Sequence, residues 1–489
     1  MATANCCLCL FQKARFKKLY TRLGYIHRTT GRRDVFPAAP DAVYCYEVPM
    51  VSFTTTPVDK PRAVPTASER RESDPATVTA HNVTASQEPD VAPRLLPATV
   101  LQNDAEAIAA AHRLAASARF NAATRDQQRN LPWAEIEHFT RSGLGSISIP
   151  RAYGGPQVSF ATVAEVFRII STADPALGQI PQNQFGILNL LQSSATEQQK
   201  KTLFQSVLDG WRIGNAGPER GSKNTLELKA RITANGDRLA ITGQKFYSTG
   251  ALFAHWVAVK ALDDQGRQVM AFVKRGTPGL SIVDDWSGFG QRTTASGTVL
   301  LDNVAVEAEQ VVDNWRLALI PNIQGAVSQL IQAAIDAGIA RGAIDDAIAF
   351  VREKSRPWID AKVERASDDL YVIADIGKLK LELHAAEALL RKAGQELDEI
   401  NAAPIDEQSA ARASIAVARA KVLTTEISLL ASEKLFELAG SRATLAEFNL
   451  DRHWRNARVH TLHDPVRWKY HAVGTWHLNG TLPARHSWI

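Results

Sequence analysis

Residues 227–243 read ELKARITANGDRLAITG. Two runs of alternating, partly β-branched residues flank Asn235-Gly236-Asp237, where glycine supplies the backbone freedom that a tight hairpin requires. A second pair of runs, HWVAVKAL (255–262) and RQVMAFVK (267–274), flanks Asp263-Asp264-Gln265-Gly266. GLSIVDDW (279–286) and GTVLLDNVAVE (297–307) bring the set to about six short strands. The alternation of period two places a compact antiparallel β-barrel or sandwich at residues 211–315.

On both sides of this island the period returns to that of a helix. Upstream, AEAIAAAHRLAASARF (105–120) is a strong helix former, LPWAEIEHFTRSG (131–143) has an early Pro132 and a stop at Gly143, and Thr196 is placed to cap TEQQKKTLFQSVLDG. Downstream, Ile376, Leu379, Leu383, Ala386, Leu390, Ala393 and Leu397 make one apolar stripe, and Leu423, Ile427, Ala431, Leu435 and Leu438 make another, ended by Gly440 as a left-handed stop. Gly338 and Gly342, one turn apart, would admit a neighbouring helix closely. The first stripe is either an assembly face or intrachain core. The expected order is an N-terminal helical domain at 96–210, the β domain, and a C-terminal four-helix bundle at 316–489, an α+β chain whose domains meet at a cleft.

Charge and cysteine set further bounds. The formal charge of +5 sits in residues 1–49, leaving as many acidic as basic residues beyond them. No basic stripe marks a nucleic-acid face. Cys6, Cys7, Cys9 and Cys45 are the only cysteines, so the folded part has no thiol chemistry, which fits a reducing, cytoplasmic setting. Residues 1–95 read as a disordered extension, and the CCLCLF run near its start is compatible with targeting or lipidation. A true start at Met50 is equally open. No run is long and apolar enough to span a bilayer.

No Walker loop, GxGxxG, HExxH or GxSxG occurs, which removes several enzyme classes. Three segments have the composition of a cofactor site. GNAGPERGS (214–222) and KFYSTGA (245–251) offer backbone and hydroxyl donors to a planar ring, with Tyr247 as a flat wall. SGFGQRTTASGTV (287–299) sets Arg292 among hydroxyls, a seat for phosphate. HWRNARVHTLHD (453–464) puts His460 and His463 on one helix face beside Asp464. The three readings of that stretch are two satisfied helix histidines, a metal site using His453 or Asp464, and an imidazole hydrogen-bonded to a reacting group. No di-iron set accompanies it, and no metal is expected.

These segments, in this order, resemble the acyl-CoA dehydrogenase fold from about residue 100 onward. DPALGQIPQN (174–183), KFYSTGALFAHW (245–256), DDWSGFGQRTTASGTVLLD (284–302) and NARVHTLHDPVRWKYHA (456–472) resemble the sulfur-acquisition oxidoreductases related to dibenzothiophene monooxygenase. The resemblance implies a two-component flavin monooxygenase. A separate flavin reductase supplies reduced FMN, and O2 forms a C4a-hydroperoxide that oxygenates a small organosulfur compound, in a homodimer or homotetramer. It assigns cofactor contacts to Asn215, Gly217, Tyr247, Ser248, Thr249, Arg292 and His463, and catalysis to His463, Asn215 and Thr249, with Ser248 and His460 in support. His463-Asp464-Pro465 stands where acyl-CoA dehydrogenases carry their glutamate base, and EKSRPW (353–358) and GSRAT (440–444) replace FAD-gripping segments. Both departures favour FMN. Gln184 stands where relatives carry histidine. The alternatives are an FAD-dependent acyl-CoA dehydrogenase with Asp464 as base, and a scaffold without flavin.

Overall fold

The hairpin that opened the sequence reading forms as expected, with β2 (Arg231–Asn235) and β3 (Arg238–Lys245) antiparallel and Gly236 at φ +63° in the turn. This is a computed structural model that describes residues 93–224 and 226–489, all within the unit Thr84–Ile489. The extension at 1–95, with its four cysteines, lies outside the described residues except for its last three positions.

Among the described residues seven helices precede the strands: α1 (Asp104–Arg119), α2 (Ala122–Gln128), α3 (Trp133–Arg141), α4 (Phe160–Ala173), α5 (Pro175–Gln179), α6 (Gln182–Ser194) and α7 (Glu197–Leu208). Their boundaries follow local chemistry. Asn103 caps α1 by accepting from Glu106 N at 3.0 Å, and Thr196 with Gln199 forms a capping box on α7. α5 starts at Pro175 because Asp174 caps it and Pro needs no N–H partner there.

With β1 (Ile213–Ala216), β4 (Trp256–Leu262), β5 (Gln268–Lys274), β6 (Leu280–Val283), β7 (Thr298–Val306) and β8 (Val311–Val312), the hairpin forms a sheet of eight strands in the order β6-β7-β3-β2-β4-β5-β8, with β1 beside β4. β4 and β5 form the second expected hairpin, and β6 pairs with β7. The expectation of an all-antiparallel set of six missed β1 and β8. Both are too short to show an alternating pattern. β1 and β4 pair in parallel, which the intervening β2–β3 hairpin permits by supplying the long crossover that such pairing needs.

α8 (Gln324–Glu353), α9 (Leu370–Asn401) and α10 (Glu407–Ala439) are the long C-terminal helices, followed by the shorter α11 (Asp451–His460) and α12 (Arg467–Asn479). Leu379, Leu383, Ala386, Leu390, Ala393 and Leu397 of α9 are all buried within the chain. The stripe is therefore core, each leucine contributing about 1.5–3 kcal/mol of burial, and it provides no assembly face. Large apolar residues that α9 does expose, Leu370, Tyr371, Ile373 and Leu381, lie outside that stripe. A Cβ on Gly338 would sit 2.7 Å from the Arg168 carbonyl, and one on Gly342 2.8 Å from that of Thr172, so α8 lies directly on α4. Gly440 ends α10 at φ 79° and ψ −178°, the positive φ expected of a glycine stop, with ψ outside the left-handed helical range. No described helix is long and apolar enough to cross a membrane.

Candidate active site

A circuit of close backbone contacts joins β1, two loops of the sheet, α5 and α11. Asn215 N on β1 donates to the Thr249 carbonyl at 3.1 Å, and its side-chain amide lies 3.5 Å from the Tyr247 carbonyl. A Cβ on Gly214 would fall 2.5 Å from Ala251 Cα, so only glycine allows the strand to lie this close to the KFYSTGA loop. Gly250 presses that loop onto the Ile180 carbonyl, immediately after Gln179 at the end of α5. Gln179 Nε2 reaches His463 Nε2 at 3.0 Å.

The return path runs through α11. A Cβ on Gly290 would lie 1.9 Å from the Arg455 carbonyl; Gln291 N donates to Asn456 Oδ1 at 2.7 Å, and Arg455 Nη1 to the Phe289 carbonyl at 3.1 Å. The GFGQRTTASG loop is thus docked on α11, and it closes the circuit through Ser248 N to the Gly297 carbonyl at 3.2 Å. The sequence-predicted residues Asn215, Ser248, Thr249 and His463 all lie on this circuit.

Hydrogen-bond direction can be read at two places. His463 Nδ1 lies 2.6 Å from the His460 carbonyl, which only accepts, so Nδ1 carries the proton. In the neutral ring Nε2 is then an acceptor, and Gln179 donates to it. Burial, with the neighbouring His460 adding to it, pushes the His463 pKa down to about 4, so the ring is neutral at pH 7. His463 is nonetheless exposed as a residue, so the lowered proton affinity comes from the protein packed around it rather than from full enclosure. The second place is a file of hydroxyls. Thr294 donates to the Gln291 carbonyl (2.9 Å), leaving Ser296 to donate to Thr294 (2.8 Å) and Thr249 to donate to Ser296 (2.7 Å). Thr249 therefore presents lone pairs outward.

Behind His463 lies a group that sequence reading missed. His460 Nδ1 donates to Asp336 Oδ1 at 2.6 Å, while Lys421 Nζ and Thr425 Oγ1 donate to Asp336 Oδ2 at 2.7 and 2.9 Å. Burial alone would raise the Asp336 pKa, but Lys421 and His460 outweigh it and hold the carboxyl well below its usual range. Asp336 and Lys421 stand in alanine-rich helical stretches, and a charge on such a face was the available signal. The rings of His460 and His463 meet edge to face at 4.8 Å between centroids, so this cluster seats one histidine and the other packs on it.

Other candidates have different surroundings. His453 Nε2 donates to Asp346 Oδ2 at 2.8 Å, beside Arg452, and is part of an ion cluster. Asp464 is buried 3.1 Å from Lys469 Nζ, which also donates to the Trp488 carbonyl. Gln184 donates to the Gly145 carbonyl at 2.7 Å and accepts from Ile213 N at 2.9 Å, so its amide ties α6 to β1 rather than facing a ligand. Tyr247, at φ +59° and half exposed, packs its ring on Phe246 and Trp286. A cavity of about 580 Å³ lies apart from this circuit, against Leu95, Pro97, Tyr153 and Leu208, and its lining has no acid–base pair.

A polar, planar cofactor fits the circuit. Ser248 Oγ, Gln179 Oε1, both amide atoms of Gln291, Arg292 Nε and His460 Nε2 are buried without partners among the described residues, and unpaired buried polar atoms in such numbers call for a ligand. A hydroxyl, amides and a guanidinium suit the heteroatoms and phosphate of a flavin nucleotide.

Comparison with known proteins agrees with this geometry. Residues 102–210 match the acyl-CoA dehydrogenase N-terminal domain and residues 330–468 the C-terminal domain. The dibenzothiophene monooxygenase of Rhodococcus erythropolis is 32% identical over 396 residues, covering 78% of this chain and 95% of that one. A probable FMNH2-dependent monooxygenase of Pseudomonas putida is 30% identical over 389 residues, 77% of this chain and 96% of that one. The crystal structure of FMN-bound TdsC from Paenibacillus sp. A11-2 superposes with a TM-score of 0.75 at 30% identity, covering 78% of this chain and all of that one. The chain belongs to the flavin-dependent monooxygenases of the acyl-CoA dehydrogenase superfamily, in the family of dibenzothiophene monooxygenase.

Proposed function

We propose that the chain oxygenates a small organosulfur compound with reduced FMN delivered by a separate flavin reductase. When bound, reduced FMN supplies two electrons to O2, one oxygen atom going to a sulfur lone pair and the other leaving as water. The protein's own groups bind, orient and exclude solvent. Arg292, with its Nε unpartnered, suits the phosphate; Gly217 and Ser248 suit the ring edge. Asn215 contributes an amide donor, and Thr249, its proton committed to Ser296, contributes an acceptor.

The observation that carries this reading is the state of the last turn. His463 is a neutral imidazole with its proton on Nδ1 and its Nε2 lone pair held by the Gln179 amide, so the ring is fixed in one tautomer and orientation. Asp464, the only candidate for a dehydrogenase base, is held against Lys469. Its carboxylate faces an ammonium instead of a substrate. Exposed Leu462, Phe289 and Trp454, the last two stacked with centroids 5.9 Å apart, are apolar surface beside the circuit, suited to cover by a second copy in a dimer or tetramer.

The test is anaerobic titration with reduced and oxidised FMN, then an oxygen pulse with a reductase and a panel of sulfur compounds. Preferential binding of the reduced flavin and a product carrying one atom of labelled oxygen are expected. Reduction of bound FAD by an acyl-CoA, with no reductase needed, would replace this reading.

A further inference from the structure

The guanidinium of Arg212 is buried where the N-terminal helices meet the sheet. The residue is 7% exposed and immediately precedes Ile213, the first residue of β1. Its Nε donates to the Phe253 carbonyl at 2.6 Å and its Nη1 to Thr140 Oγ1 of α3 at 3.1 Å. Thr140 gives its own hydroxyl proton to the Ile136 carbonyl at 2.8 Å, so it can only accept from the arginine. Nη2 is left buried, with no acceptor among the described residues.

The charge is as isolated as the nitrogen. Among the described residues no carboxylate makes an ion pair or a hydrogen bond with Arg212, and Glu137 acts on it only from a distance. The adjoining imidazole contributes no negative charge. His255 Nδ1 accepts from Arg212 N at 3.0 Å, so Nε2 carries the proton and donates to the Arg94 carbonyl at 3.2 Å, and the ring is neutral. Burial pushes the Arg212 pKa down to about 10, with Glu137 opposing it only in part. A desolvated cation of this kind weakens the fold until a counter-ion neutralises it.

Beside it lies a recessed cavity of about 10 Å³, lined by Phe139 and Thr140 of α3, Gln184 of α6, Val207 of α7, and Trp211 and Arg212. It has room for one water or one monoatomic ion, and none for a carboxylate or a phosphate. No acidic side chain lines it. Gln184 Nε2 gives one hydrogen to the Gly145 carbonyl at 2.7 Å and keeps a second to offer.

We propose that this cavity is a halide site, in which one chloride ion is held by Arg212 and Gln184. The site stands apart from the flavin circuit and does not depend on the oxygenase reading. A water there would satisfy Nη2 and leave the charge uncompensated; a chloride does both. Because Gln184 also accepts from Ile213 N at 2.9 Å, the ion would brace α3 and α6 against β1, the strand that carries Asn215.

Wild-type crystals soaked in sodium bromide are expected to show an anomalous difference peak in this cavity, at hydrogen-bond distance from Arg212 Nη2. In solution, urea unfolding is compared in sodium chloride and sodium gluconate at equal ionic strength. Chloride at about ten times its dissociation constant should lower the unfolding equilibrium constant roughly 11-fold. In Arg212→Met the difference between the salts disappears, and in Gln184→Leu it shrinks. A cavity with no bromide peak, or with a water that gives no anomalous signal, overturns the proposal on the wild type alone. A bromide peak with equal unfolding in the two salts marks binding at crystal concentration only and overturns it too, as does a chloride dependence undiminished in Arg212→Met.

Discussion

Replacing Asp336 by asparagine keeps the shape of the side chain and deletes its charge. Asp336 and Lys421 are 0% and 1% exposed at the side chain, so no water takes over the lost role. The amide would offer one acceptor where the carboxylate now takes three donors, from His460, Lys421 and Thr425. Breaking one side of a buried ion pair costs about 3–5 kcal/mol, which for a folded unit of this size corresponds to a drop of roughly 4–6 °C in the unfolding midpoint. Differential scanning calorimetry measures it. Adding Lys421→Met removes the orphaned ammonium and should restore more than half of the loss, because a pair replaced by apolar groups is often nearly neutral. A loss below about 1 kcal/mol for the single variant, or no recovery in the double variant, would refute the assignment of Asp336 as the anchor of this cluster.

Gly290→Ala should lower stability by about 3 kcal/mol or more and weaken FMN binding, since its Cβ would fall 1.9 Å from the Arg455 carbonyl; thermal melts and flavin fluorescence report both. His255 is buried, and burial with Arg212 beside it lowers its pKa to about 4. The unfolded chain takes up that proton near pH 6.5 and the folded one resists until about 4, so this contribution is present above pH 6.5 and is lost as pH falls toward 4, amounting to about 3 kcal/mol. Urea unfolding at several pH values should show a shallower dependence for His255→Gln than for the wild type, and identical slopes would exclude it. Asp464→Asn should destabilise the fold through the unpaired Lys469 without altering any reaction with acyl-CoA, which the wild type should not show; flavin bleaching by butyryl-CoA that is abolished in the variant would contradict this.

The long elements were legible because their signal is repetitive. The α9 stripe and the Asn235-Gly236 turn each state a period and a boundary within a few residues, and both formed. β1 and β8 were not, since strands of four and two residues cannot display alternation and owe their place to the partner strand. Within the site, the contrast has the same physical origin. His460, His463 and the hydroxyl-rich loops stood out by composition, whereas Gln179 acts from a five-residue helix and gains meaning only from its contact with His463. Asp336 reads as an ordinary polar position on a helix, and only its burial, which depends on what packs against it, distinguishes it from a solvated charge.

His463→Phe keeps a flat ring at the turn and removes both nitrogens, so the comparison to make is the yield of oxygenated sulfur product per O2 consumed, wild type against variant, with reductase and FMN in excess. The expected result is that reduced FMN still binds while most of the oxygen consumed by the variant appears as hydrogen peroxide. Undiminished product per O2 in His463→Phe would contradict a role for this imidazole in the chemistry.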